Sequence, residues 1–359
     1  MRDLLLTLLI FGILPFIFSR PHLGVLVWSW LGYMNPHRMT FGFAHSFPFV
    51  AIVAGITLIS LMFSKEKKSL PINGITITWI IFVLWCVFTY FFAMNPSGAA
   101  IELDRMIKIQ VMILCTLLLF NSKERLIQLT WVISLSIGFY GIKGGVFALL
   151  TGFNYRIWGP RGFISGNNEL ALALLMIIPL FYFLFTVTTN KHIKRLLLLF
   201  MMLCLFSVIS SYSRGAFLGL AVMSFFLWLG MKKKVLVASI VVCFIALGYS
   251  FIPDKWFDRM NTIENYEDDG SANQRLNSWG FAINLANDNP IMGGGFRTFT
   301  HEAYQLYGPI PDMVYDAHSI YFEVLAEQGY VGLVLFLTLW ILVFHKAHTI
   351  KRALKKKQD

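Results

Sequence analysis

The chain has 359 residues, of which 57% are apolar, 34 are phenylalanine and only 14% are charged, whereas a typical soluble protein carries roughly a quarter charged residues. That balance excludes an ordinary soluble domain. The net charge of +11 invites a nucleic-acid partner, but 17 of the 30 Lys and Arg fall in five short clusters between or after apolar runs, a distribution that marks membrane sidedness and argues against nucleic acid.

Apolar runs close to the ~20 helical residues that span a ~30 Å hydrocarbon layer recur from the N-terminus to about residue 345. They predict an all-α fold, a polytopic transmembrane helical bundle, with spans at about 3–19, 22–34, 47–63, 74–94, 105–120, 126–150, 168–188, 196–213, 215–230, 235–252 and 318–345. That is about eleven spans, within bounds of 10–12. Met1-Arg2-Asp3 leads into the first run without a small-residue cleavage site, so the run is read as a retained helix. Arg20-Pro21 splits the first apolar region and leaves it two readings: two short tilted helices, or one span with a re-entrant piece.

The basic clusters are Lys65–Lys68, Lys123 with Arg125, Lys191–Arg195, Lys232–Lys234 and the tail from Lys346 to Lys357. Pairs of crossings between them put all five on the cytoplasmic side. Alternation then places outside the segment 95–104, the segment 151–167 with Arg156 and Arg161, the junction at Arg214, and a long hydrophilic loop over 253–317. That loop holds ten of the nineteen acids and four basic residues. The organisation expected is 1–252 as helices with short loops, 253–317 as a periplasmic loop or lid, and 318–359 as a last helix with a basic cytoplasmic tail. Cys86, Cys115, Cys204 and Cys243 all lie inside apolar runs, so no disulfide framework is implied.

Polar residues gather at the outer ends of the predicted spans. Lys143, two turns from the outer end of its span, is read as snorkelling. Ser165-Gly166-Asn167-Asn168-Glu169 reads as a helix N-cap with an acid in the first turn, and Asn167 and Asn168 also sit on the side where a polar pocket is expected. Arg214, in Ser-Tyr-Ser-Arg-Gly-Ala, either grips an anion bidentately at the membrane surface or snorkels at the interface.

Inside the loop, Arg275 and Trp279 share one face of a predicted amphipathic helix able to lie across the membrane surface. Gly293-Gly294-Gly295 lets the backbone approach something closely but lacks the Lys-Ser/Thr ending of a nucleotide-binding P-loop. Asp268-Asp269-Gly270 reads as a turn. No His/Cys cluster has metal-ligand spacing, so metal-independent chemistry without a cofactor is expected.

His318, in Tyr-Asp-Ala-His-Ser-Ile-Tyr, stands where the loop enters the last helix, with Asp316 or Ala317 near the cap. A neutral imidazole there can take a proton from a hydroxyl or hold a phosphate, or simply occupy the interface. Tyr321 lies in the first turn beyond it. Glu323 and Glu327 share a helix face rotated away from His318 and are read as interior hydrogen-bonding groups or as functional carboxylates.

Four separated patterns then resemble one family: Gly-Asn-Asn-Glu-Leu-Ala (166–171) with Pro179; Ser-Arg-Gly-Ala (213–216); Arg275 with Trp279 and Gly293–Gly295; and His318-Ser-Ile-Tyr with Leu325-Ala-Glu-Gln-Gly-Tyr-Val-Gly. They are similar to the O-antigen ligase and polymerase superfamily. The start Met-Arg-Asp-Leu-Leu-Leu-Thr and the stretch Trp-Ser-Trp-Leu-Gly-Tyr-Met-Asn-Pro-His-Arg (28–38) resemble the O-glycosylation ligases found with exosortase systems.

The resemblance implies a bacterial inner-membrane enzyme that transfers a glycan from undecaprenyl diphosphate to an acceptor hydroxyl, on a protein or glycolipid, at the periplasmic face. It implies catalytic roles for Arg214, Arg275 and His318, with Asn167, Asn168, Arg161, Trp279, Tyr321 and Glu327 as substrate-binding candidates and membrane lipids as surroundings. The family's His-Asn is His-Ser here. The alternatives are a polysaccharide polymerase or, from another class, a lipid-linked glycan transporter. A transporter needs polar groups continuing toward the cytoplasmic side, and the sequence has few.

Overall fold

The computed structural model describes residues 1–160, 164–229, 254, 256 and 270–356. Among these the chain is helical and holds no strand. Its α-helices are α1 (Arg2–Ser19), α2 (Pro21–Met34), α3 (Phe49–Phe63), α4 (Gly74–Tyr90), α5 (Pro96–Leu119), α6 (Lys123–Leu150), α7 (Asn167–Val187), α8 (Lys191–Ile209), α9 (Arg214–Leu229), α10 (Gly270–Asp288), α11 (His301–Tyr307) and α12 (Ile320–Lys356). Ten of the eleven expected spans coincide with a helix. The eleventh, 235–252, lies outside the described residues, as do Lys232–Lys234, Cys243, Asp268, Asp269 and the predicted site residue Arg161.

Among the described residues five helices are long and apolar enough to cross a membrane, α1, α6, α7, α8 and α12; α3, α4 and α9 are shorter apolar helices. Large side chains such as Leu8, Phe16, Met62, Leu84, Met176 and Phe226 stand exposed. Apolar surface on that scale suits lipid as the solvent. The chain is a multi-pass membrane protein.

It divides into two compact units that do not follow sequence order, Met1–Lys67 with Leu119–Glu264, and Lys68–Leu118 with Asn265–Asp359. In the first unit, Asp3 Oδ1 accepts the Gly42 and Ala44 N–H groups at 3.1 Å, tying the start of α1 to the α2–α3 link. At the opposite end Ser60 Oγ donates to the Ile17 carbonyl at 2.9 Å, and His22 Nδ1 lies 3.9 Å from Glu66. The helices α1 and α2 are therefore an antiparallel pair, an arrangement common to both readings of the Arg20-Pro21 break. Glu66 also pairs with Arg125 at 3.0 Å, so two of the basic clusters share one end of this unit, as the charge pattern requires.

Glycines let α6 sink into its neighbours. A Cβ on Gly138 would strike Phe181 of α7, and on Gly145 it would fall on the Leu203 carbonyl of α8. Such close backbone approach supplies dispersion contact where lipid removes the hydrophobic drive between helices. The resulting core of α6, α7 and α8 centres on Leu170, Leu174, Phe181, Leu197 and Cys204.

In the second unit, α4 packs on α12, with Thr89 Oγ1 donating to Gln328 Oε1 at 2.5 Å and Trp85 Nε1 to the Gln328 carbonyl at 3.0 Å. The last helix is broken at Gly329, whose φ of 67° and ψ of −172° are not helical. Into that break fits the glycine run: Gly294 N and Gly295 N donate to the carbonyls of Ala326 and Glu327 at 2.8 and 2.9 Å, and Tyr330 N donates to the Pro290 carbonyl at 2.9 Å. Gly293 has φ 65°, and a Cβ there would meet the Ala326 carbonyl. The close approach foreseen for Gly293–Gly295 is thus an approach to the protein's own helix.

Candidate active site

In the first unit the polar residues expected outside come together around one turn. Ser213 caps α9, its hydroxyl accepting the Ala216 N–H at 3.2 Å, so Arg214 is the first helical residue and half-buried. The turn before it is held from two sides. Asn167 Nδ2, at the start of α7, donates to the Ser211 carbonyl at 2.9 Å. From the α6–α7 link, Tyr155 accepts from Ser210 Oγ at 2.8 Å, Ile157 N donates to the Ser210 carbonyl at 2.9 Å, and Phe153 accepts from Tyr212 Oη at 2.7 Å. The Arg156 guanidinium lies 5.7 Å from the Trp158 ring and 6.0 Å from that of Tyr212.

Gly166 rather than a side chain caps α7, and Glu169 occupies its first turn as expected. Asn168 is exposed. The unit therefore joins Asn167 to the Arg214 turn and adds Arg156, which the sequence placed on this side without giving it a role.

In the second unit, α10 carries the segment 310–317 along one face. Asn277 binds the carbonyls of Ile310 and Met313 at 3.0 and 2.8 Å and accepts from Ile310 N at 2.8 Å. The Tyr315 carbonyl accepts from Tyr304 Oη at 2.7 Å, and the Ala317 carbonyl accepts from Trp279 Nε1 at 2.9 Å. Burial pushes the Tyr304 phenol above its ordinary range.

His318 is thus the first residue past a backbone held carbonyl by carbonyl. It is exposed, with φ 46°, a left-handed conformation that is uncommon without glycine. Ser319, not Asp316 or Ala317, gives the first helical acceptor, taking the Glu323 N–H at 2.9 Å. The helix N-terminus consequently falls just after the histidine instead of before it.

Arg275 lies one helical turn before Trp279, which also stacks on Phe322 at 4.8 Å. Its buried Nε has no hydrogen-bond partner among the described residues. A buried guanidinium N–H without an acceptor is costly, and an anion oxygen would satisfy it. Further along α10, Phe281, Ala282 and Leu285 form a core with Ala303, Tyr304 and Ala326.

Tyr321 is exposed, its ring 6.1 Å from Phe336 further along α12. Glu327 accepts the Arg297 N–H at 2.8 Å. Arg297, which sequence reasoning passed over, bonds Glu102 through Nε at 2.8 Å and Nη2 at 2.5 Å, while Arg105 bonds the same carboxylate at 2.9 Å. The Glu102 hydrogen bond pushes the Arg297 pKa up further. Only the Glu102-x-x-Arg105 spacing hinted at an ionic cluster here.

Among the described residues no three His, Cys, Asp or Glu side chains are grouped to hold a metal ion. Residues 1–189 match the model of a family of unknown function, DUF5935, and residues 199–337 match that of O-antigen ligase. The second range takes in Arg214, Arg275 and His318. No curated protein and no solved structure matches the chain.

Proposed function

We propose a function from the premise that this chain belongs to the DUF5935 family, whose model covers over half of it, and is similar to O-antigen ligases over 199–337. It acts as an inner-membrane O-oligosaccharide ligase of the kind associated with exosortase systems, taking a glycan from undecaprenyl diphosphate to an acceptor hydroxyl at the periplasmic face. What carries this reading is the O-antigen ligase match over the stretch that holds both arginines and the histidine.

In the reaction the acceptor oxygen bonds to the anomeric carbon, the bond from that carbon to the diphosphate oxygen breaks, and the electron pair leaves with undecaprenyl diphosphate. His318 accepts a hydrogen bond from the acceptor hydroxyl and takes its proton. Arg275 offers its unsatisfied Nε–H to the diphosphate, a fixed donor for the charge growing on the leaving group, and Arg214 keeps the anion-binding role that the family resemblance gives it. Asn167 and Trp279 are positioning residues: one fixes the Arg214 turn, the other the backbone before His318.

The test is transfer by purified protein in liposomes with a labelled undecaprenyl-diphosphate glycan and candidate acceptors, with and without chelator. Arg214→Ala, Arg275→Ala and His318→Ala are each expected to lower the rate about 10²-fold or more while leaving folded protein in the membrane. Wild-type turnover in all three sinks the assignment. A ladder on the lipid carrier would identify a polymerase instead.

A further inference from the structure

In the first unit an open cleft of about 730 Å³ lies between the α2–α3 link, the outer half of α6 and the α6–α7 link. Its lining includes Arg38, His45, Lys143, Arg156 and Trp158. Three basic side chains, Arg38, Lys143 and Arg156, therefore share one cleft, and among its described lining residues there is no carboxylate. Arg38 Nη1 lies 3.4 Å from His45 Nε2, and none of the three meets an acid among the described salt bridges. Uncompensated charge of one sign focused in a cleft draws an anion.

The walls say what carries that anion. Trp158 and Phe41 are 60% and 91% exposed, and the volume falls within the roughly 300–1,000 Å³ of small-molecule sites, far more than one phosphate or one lipid headgroup fills. Flat aromatic faces beside cations suit sugar rings bearing acidic groups. The cleft also faces the end of the unit opposite the Glu66–Arg125 pair, and Arg156 connects it to the Tyr212 ring beside Arg214.

We propose that this cleft, through Arg38, Lys143 and Arg156, binds an acidic saccharide, a glycan carrying carboxylate or phosphate groups, and so selects the sugar that is transferred or received. The proposal rests on the ligase reading for its purpose, but it is read by binding alone.

Full-length protein in phosphatidylcholine nanodiscs would be titrated by calorimetry with tetragalacturonate and with the neutral maltotetraose. Tetragalacturonate should bind at least tenfold more tightly, and Lys143→Gln and Arg156→Gln should each weaken it about tenfold, with Lys143→Arg restoring affinity. Equal binding of the two oligosaccharides, or acidic binding indifferent to both Gln variants, overturns the proposal. So does full displacement of tetragalacturonate when phosphatidylglycerol is added to the discs, which would mark a lipid-headgroup site. The titration reads binding alone, so failure of the separate liposome transfer assay would fault the ligase reading and leave the cleft assignment standing.

Discussion

Two residues show how local chemistry departs from what neighbours in sequence suggest. His318 was legible as a polar residue at the loop's exit, but its left-handed backbone and its place one residue before the helical cap depend on Trp279 holding the Ala317 carbonyl from 38 positions away. His37 was not legible at all. It is 8% exposed, stands edge-on to Phe49 at 6.4 Å, and its buried Nδ1 has no hydrogen-bond partner among the described residues. Burial, then Arg38 and His45, push its pKa below the ordinary imidazole value of 6.5. The folded state therefore binds a proton less readily than the unfolded one, so the associated stability is full above about pH 6.5 and is lost as pH falls through the lowered folded value. Thermal midpoints of the purified protein should drop between pH 7.5 and 5.5, and His37→Phe should flatten that slope. An unchanged slope in the variant would assign the loss to other groups.

Among elements, α6 and α12 are the informative pair. The apolar run and its basic flank predicted α6, yet nothing in the run says which glycines face a neighbour. Gly145 does: its α-carbon rests against the α8 backbone at Leu203. Gly145→Ala must push α8 away and should destabilise by about 1–3 kcal/mol, the usual cost of overpacking. Gly55→Ala is the control, because no atom lies within 4 Å of the added methyl. Urea or thermal unfolding in detergent that treats both substitutions alike would refute the close-packing account. In α12 the predicted continuous helix is two limbs joined at Gly329, and the Gly-Gly-Gly run supplies the hydrogen bonds that the break leaves open. The two glycine motifs were each visible; their pairing was not, because the docking brings together residues about 35 apart whose only shared signal is the absence of a side chain.

At the scale of the molecule, charge patterning predicts which ends face the cytoplasm, and the Glu66–Arg125 pair brings two of the basic clusters to one end of the first unit. A single cysteine introduced at Lys67→Cys should react with an impermeant maleimide only after cells are permeabilised, and one at Asp312→Cys in intact cells. Both positions are exposed, and the described native cysteines are buried. The opposite labelling would invert the topology and move the proposed site to the cytoplasmic side. The membrane class, the approximate limits of ten helices and the polar residues worth testing came from sequence alone, since hydropathy and the sidedness of basic residues are local properties summed along the chain. The division into two units, with α4 and α5 joining the C-terminal helices, was decided only by tertiary structure. So were the antiparallel pairing of α1 with α2, the Arg297–Glu102 pair and the cationic cleft. Each depends on contacts between segments far apart in the chain, and a hydrophobic helix in lipid carries no local mark of which partner its small and polar residues will meet.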